Sequence, residues 1–223
     1  MANPIANETR ASAERSGGAS DVAIYTMVER AINARGVKGE VAIDLGCGSG
    51  RLHDFLTGIF SRYIGVDAAR YANFPAEGEF MEADLNAIPF PIGSATADAV
   101  FALETIEHLE NPRALLREMV RIAKPNGWIV VTTPNQLSVL SLGTLGLKKR
   151  FSAFQDVHYP AHITALLESD LLRIANELQL IDPRIEYSRS GRIVFTPFHY
   201  PRLISNIAPR LGSDNLLLIA RVP

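Results

Sequence analysis

Residues 41–50 read VAIDLGCGSG. Val41 to Leu45 form a short apolar run with one acid inside it, the pattern of a strand buried on both faces. The run ends in glycines at alternate positions, Gly46, Gly48 and Gly50, and the following RLHDFLTGIF reads as the start of a helix. Glycine admits positive φ and lets a backbone approach a neighbour closely, and a helix N-terminus offers free N–H groups. A strand, a glycine turn and a helix make a place where a ligand can sit against backbone.

The alternation repeats downstream. RYIGVD (62–67), GEFMEADL (78–85), TADAVFALE (96–104) and WIVVTTP (128–134) read as further strands, with two more near 180–188 and 215–222. Helices are expected over DVAIYTMVERAINARG, ending at Gly36, over PRALLREMVRIAK behind an Asn111–Pro112 cap, and over SDLLRIANEL. The KPNG turn at 124–127 stops the second of these. Strands and helices at this spacing predict an α/β fold, a doubly wound parallel sheet with helices on both faces.

The bulk numbers agree with one domain. The chain has 223 residues, 47% hydrophobic and 21% charged, enough for a core without disulfides or metal. Residues 1–19 read as a polar, flexible arm, and 20–223 as a single domain with a lid-like insertion near 135–163. A net charge of −2 gives no whole-surface case for binding nucleic acid or an acidic membrane. Cys47 is the one cysteine, so no internal disulfide is available. Charges interrupt the first twenty residues, and no run reaches the ~18 apolar residues of a membrane helix. The expected localisation is cytoplasmic.

The glycine turn discriminates between cofactors. A dinucleotide fingerprint wants a third glycine where Arg51 stands, and a Walker loop wants Gly-Lys-Ser/Thr. Asp44-Leu45-Gly46-Cys47-Gly48-Ser49-Gly50 instead resembles the first motif of the class I, seven-stranded S-adenosylmethionine-dependent methyltransferases. The resemblance covers roughly residues 38–136, including the E-H-L and K-P-N-G stretches of the small-molecule subgroup. It implies a three-layer α/β/α sandwich with a mostly parallel seven-stranded sheet, and S-adenosyl-L-methionine as cofactor. It places Asp67 on the ribose hydroxyls, for which an acceptor-only carboxylate is suited, and Asp84 and Leu85 at the adenine. Asp44, Gly46, Cys47, Gly48, Gly50, Ala68 and Leu103 complete the expected cofactor contacts. The glycines would make room for the methionine end of the cofactor. Cys47 reads as a small filler of the turn, since no partner base is implied by spacing.

Methyl transfer from a sulfonium, as O-methylation of a small-molecule acceptor, is the activity that the resemblance implies. The alternative is a degenerate relative that holds the cofactor as a scaffold or regulator. His108 in Glu104-Thr105-Ile106-Glu107-His108 is the candidate general base, or else a packing residue. Glu104, Glu107, His108 and His162 (or His158) also resemble a metal site in relatives that methylate RNA 3′-ends and in quinone-pathway O-methyltransferases, although no metal is expected here. The insertion is read as a substrate lid or a packed helical flap, with Lys148, Lys149 and Arg150 available to an anionic acceptor. His199 and Tyr200 are secondary candidates. No nucleic-acid partner and no membrane insertion are expected, and monomer or homodimer is left open.

Overall fold

The computed structural model describes residues 18, 20–194, 196 and 198–223; the expected N-terminal arm lies outside these residues except for Gly18. Its strands are β1 (Gly39–Leu45), β2 (Phe60–Asp67), β3 (Glu79–Glu82), β4 (Ala97–Leu103), β5 (Ala123–Pro134), β6 (Ile181–Tyr187) and β7 (Asn215–Arg221). They form one seven-stranded sheet in the order β3-β2-β1-β4-β5-β7-β6. All neighbours are parallel except β7, which runs antiparallel to both β5 and β6.

The quoted run is apolar throughout because the sheet is covered on both sides. Val41, Ile43 and Leu45 of β1 enter one apolar layer with Leu115, Leu116, Met119 and Ile122 of α3 (Pro112–Ile122). Leu171 and Ile174 of α5 (Glu168–Glu177) join the same layer. Ala42 faces the other layer, against Met27, Val28 and Ile32 of α1 (Val22–Ala34) and Leu52 and Leu56 of α2 (Leu52–Leu56). The result is the expected three-layer α/β/α sandwich.

Local chemistry sets the ends of these elements. The Asp21 side chain caps α1 by accepting the Ala23 N–H at 2.8 Å, and Asn111 caps α3 through the Ala114 N–H at 3.0 Å, with Pro112 in the first turn. The helix after the glycine turn is shorter than RLHDFLTGIF suggests: α2 stops at Leu56, and Gly58 has φ +80° before β2 begins at Phe60. The insertion after β5 is largely structured. It holds α4 (Val139–Lys148), capped by the Ser138 hydroxyl on the Ser141 N–H, and two short 3-10 turns, Ser152–Phe154 and Asp156–His158. A last helix, α6 (Arg202–Ile207), precedes β7.

Candidate cofactor and active site

From β1 the chain steps outward through β2 to β3, then returns to lay β4 on the other flank of β1. Such a switch point leaves a crevice beyond the carboxyl ends of the strands. A cavity of about 740 Å³ opens there, walled by the turns after β1, β2 and β4 and by residues 157–163 of the insertion.

The glycine turn is bound into the protein. The N–H groups of Gly46 and Cys47 both donate to the Val66 carbonyl, at 2.8 and 3.2 Å, and the Ser49 N–H donates to the Gly18 carbonyl at 2.7 Å. Gly46, Gly48 and Gly50 have φ of +75°, +51° and +75°, a region that other residues enter at a cost. A Cβ would lie 2.3 Å from Thr105 Oγ1 at Gly46, 2.3 Å from the Gly18 carbonyl oxygen at Gly48, and 2.5 Å from Pro75 Cδ at Gly50. The atoms that such a Cβ would meet are the protein's own. Gly46 and Gly48 line the cavity; Gly50 faces Phe74 and Pro75 instead.

Two carboxylates flank this turn. Asp67 ends β2, its Oδ2 accepting the Gly48 N–H at 2.8 Å and its Oδ1 the Ala68 N–H at 2.7 Å. Each oxygen keeps a lone pair for a further donor. Burial raises its pKa and these backbone donors oppose the rise. Asp44 is 2% exposed and takes the Tyr63 hydroxyl on Oδ2 at 2.6 Å, while its buried Oδ1 has no partner among the described residues. Burial pushes its pKa up to about 7, against the Tyr63 hydrogen bond and with a smaller push from Asp67. Cys47 is buried between the two acids, which with desolvation hold its thiol protonated.

Beyond β4 a 3-10 turn, Ile106–His108, carries the second cluster. His108 Nδ1 lies 2.9 Å from the Ala161 carbonyl and His162 Nδ1 2.7 Å from the Ala153 carbonyl. A carbonyl only accepts, so both Nδ1 atoms carry the proton and both Nε2 atoms keep a lone pair. The rings meet edge to face, 4.6 Å apart. Burial lowers the pKa of both, His162 to about 4, with His108 adding to that shift. Glu107 is 0% exposed; Oε2 accepts the Thr133 hydroxyl at 3.2 Å and Oε1 has no partner among the described residues. Ligand atoms of Glu107, His108 and His162 lie within 4.8 Å of one another. Glu104 is engaged elsewhere, accepting from Thr132 Oγ1 at 2.9 Å and Asn215 Nδ2 at 2.7 Å. Burial raises both acids, Glu104 to about 7, and Glu107 is raised further by the neighbouring Glu104. His158 accepts the Gln155 N–H and stacks on His162 at 5.5 Å.

Of the residues expected at the cofactor, Asp44, Gly46, Cys47, Gly48, Asp67, Ala68, Leu85 and Leu103 line the cavity, together with His108. Asp84 does not: its Oδ1 accepts the Asn86 N–H at 2.9 Å, and Ala83, Leu85 and Asn86 take the wall. Lys148, Lys149, Arg150, His199 and Tyr200 are also outside the lining, and Arg150 forms an ion pair with Asp156. Sequence reading missed the roof made by Ser20, Asp21, Ile24 and Tyr25, and missed Tyr71 and Thr105. These meet the turn only through tertiary structure, so no local pattern announces them.

Residues 43–131 match the family described as a methyltransferase domain. The ubiquinone biosynthesis O-methyltransferase of Albidiferax ferrireducens is 28% identical over 109 residues, 45% of this chain. Over residues 43–131, then, the chain is similar to methyltransferase domains. The match spans 43% of that relative's length, so this chain covers less than half of it. A SAM dependent methyltransferase from Archaeoglobus fulgidus superposes with a TM-score of 0.61 at 21% identity, over 88% of this chain and 94% of that one. Phosphoethanolamine N-methyltransferase 2 of Haemonchus contortus, solved with S-adenosyl-L-methionine, gives 0.55 at 16% identity over 88% and 52%. At these identities the likeness is one of fold. The methyltransferase family match ends at residue 131, before the insertion that walls the outer cavity.

Proposed function

We propose that the chain binds S-adenosyl-L-methionine in this cavity and methylates an oxygen of a small-molecule acceptor. Asp67 carries the reading: a buried carboxylate at the end of β2, held by the Gly48 and Ala68 N–H groups with lone pairs left for a cis-diol. Asp44 supports it, since a buried oxygen without a donor suits the ammonium of the cofactor's methionine end. Leu85 and Leu103 supply apolar wall.

The cofactor, when bound, supplies a methyl carbon activated by a positive sulfur. Position then matters more than new bonding from the protein. His108 Nε2 takes the acceptor's hydroxyl proton, while the Ala161 carbonyl fixes the ring's tautomer. Val157, Tyr159 and Ile163 give the acceptor's end an apolar lining. The oxygen acceptor is supported by the likeness to a ubiquinone biosynthesis O-methyltransferase. Calorimetry with S-adenosylmethionine on wild type and Asp67→Ala tests the reading. Loss of the charged acceptor should weaken binding by about 2–4 kcal/mol. Equal affinities, or preference for NAD, would sink it. Tight binding without turnover on phenolic, carboxylic and amine acceptors would favour the scaffold alternative.

A second reading, a divalent metal, gains from one observation. Ligand atoms of Glu107, His108 and His162 lie close together, and both histidines are fixed through Nδ1 as ligating imidazoles are. This mixed N/O set suits a borderline ion that would hold the acceptor's oxygens. His108 Nε2 cannot be base and ligand together. If chelation abolishes turnover and a divalent ion restores it, the metal reading replaces the base.

A further inference from the structure

At the edge of the sheet where the cavity opens, the protein presents an apolar surface that methyl transfer does not use. α4 buries Ser141 alone and exposes Leu142, Leu145 and, at 68%, Leu147. α6 exposes Leu203 at 71% and Ile207 at 77%. α4 meets the chain on either side of α6: the Val139 N–H donates to the Leu211 carbonyl at 2.9 Å, and a Cβ on Gly143 would touch Val194 at 3.5 Å. Pro134, which ends β5, pairs with Asn215, which begins β7, so both connections leave the sheet at that edge.

Charge indicates what covers this face. Lys148 and Lys149 stand exposed at the end of α4, and Arg202 is exposed at the start of α6. Residues 135–163 contain one acid, Asp156, paired with Arg150; residues 189–214 contain one, Asp214, paired with Arg192. The face is therefore cationic on a chain whose net charge is −2. A second copy docking by the same face would bring like charges together. Among the described residues no helix is long and apolar enough to cross a membrane, so an apolar and basic face of this kind can lie only at a bilayer surface if it meets lipid at all.

We infer that α4 and α6 dock on an anionic lipid bilayer. Leu142, Leu145, Leu147, Leu203 and Ile207 enter the boundary between headgroups and acyl chains, and Lys148, Lys149 and Arg202 meet lipid phosphates. Val157 and Tyr159, exposed at the cavity mouth, then lie near the lipid. An acceptor dissolved in the bilayer would reach the site there, a consequence that rests on the proposed methyl transfer, whereas the docking does not.

Flotation of the full chain with phosphatidylcholine vesicles, with and without one third phosphatidylglycerol, tests the docking. The protein should float with the anionic vesicles only, and high salt should release it. Leu147→Glu/Leu203→Glu/Ile207→Glu and, separately, Lys148→Glu/Lys149→Glu should each weaken vesicle binding about tenfold or more. Calorimetric affinity for S-adenosylhomocysteine should stay that of wild type in both, showing an intact fold. If the apolar variant fails to fold, the lysine variant decides. No flotation of wild type, equal flotation with neutral vesicles, or unchanged flotation of the lysine variant would overturn the inference. So would light scattering that shows a dimer broken by these substitutions while vesicle binding persists.

Discussion

The Nε2 lone pair of His108 decides the chemistry at the scale of single residues. If it removes a hydroxyl proton, His108→Ala should lower kcat by about 10²–10⁴ and leave cofactor affinity nearly unchanged. Only the neutral ring accepts a proton, so the rate should rise with pH as the imidazolium is lost. Burial lowers the His108 pKa, so the midpoint of that rise should lie below the ordinary histidine value of about 6.5. A rate insensitive to the substitution would mean a packing residue. Glu107→Gln separates the base from the metal reading, because it keeps shape and removes the carboxylate. Unchanged kcat and no response to added divalent ions fit the base; loss of a metal-restored activity fits the ligand set. The sequence showed Glu107 and His108 as neighbours of a strand end. That Glu107 is wholly buried, and that the Ala161 carbonyl orients His108, depends on contacts across dozens of residues that no local pattern carries.

At the scale of elements, the insertion divides into two parts. Residues 157–163 reach the cavity wall, held there by the Ile163 and Thr164 N–H groups on the Glu107 carbonyl, both at 3.0 Å. α4 and the basic cluster after it lie outside the lining. Replacing Val157 and Tyr159 by serine should therefore raise an acceptor's KM by about 5–30-fold, equivalent to 1–2 kcal/mol of lost apolar contact, without changing cofactor affinity. Replacing Lys148, Lys149 and Arg150 by alanine should leave KM for a water-soluble acceptor unchanged, measured at low salt where any Coulomb effect is largest. A strong KM effect of the lysines alone would restore the original expectation of an anionic acceptor. Strands and capped helices were legible because their signals are local: a buried apolar run at Val41–Leu45, and Asn111-Pro112 before an apolar stripe. The insertion was harder, since leucines at 140, 142, 145 and 147 suggest burial whereas three of these are largely exposed.

For the whole molecule, the site leaves a mark on stability. Asp44 and Glu104 are both pushed up to about 7 by burial. Between the unfolded carboxylate value of about 4 and 7, the unfolded chain releases protons that the folded chain retains. Stability of the cofactor-free protein should therefore fall as pH rises through that window. Asp44→Asn should remove on the order of 2–4 kcal/mol of the fall, read as a flatter dependence of Tm on pH. An unchanged slope would show that Asp44 is already ionised in the fold. The global topology followed from the repeated strand–helix rhythm, but the antiparallel β7 between β5 and β6 is set by pairing and has no sequence signal of its own. On the proposed function, one cavity at the switch point holds both cofactor and acceptor. A crystal structure with S-adenosylhomocysteine tests it most directly. Both ribose hydroxyls should lie on Asp67, the amino group toward Asp44 Oδ1, and the sulfur should face the side of the cavity where His108 and His162 stand. A ligand bound elsewhere, or one whose ribose leaves Asp67 untouched, would contradict it.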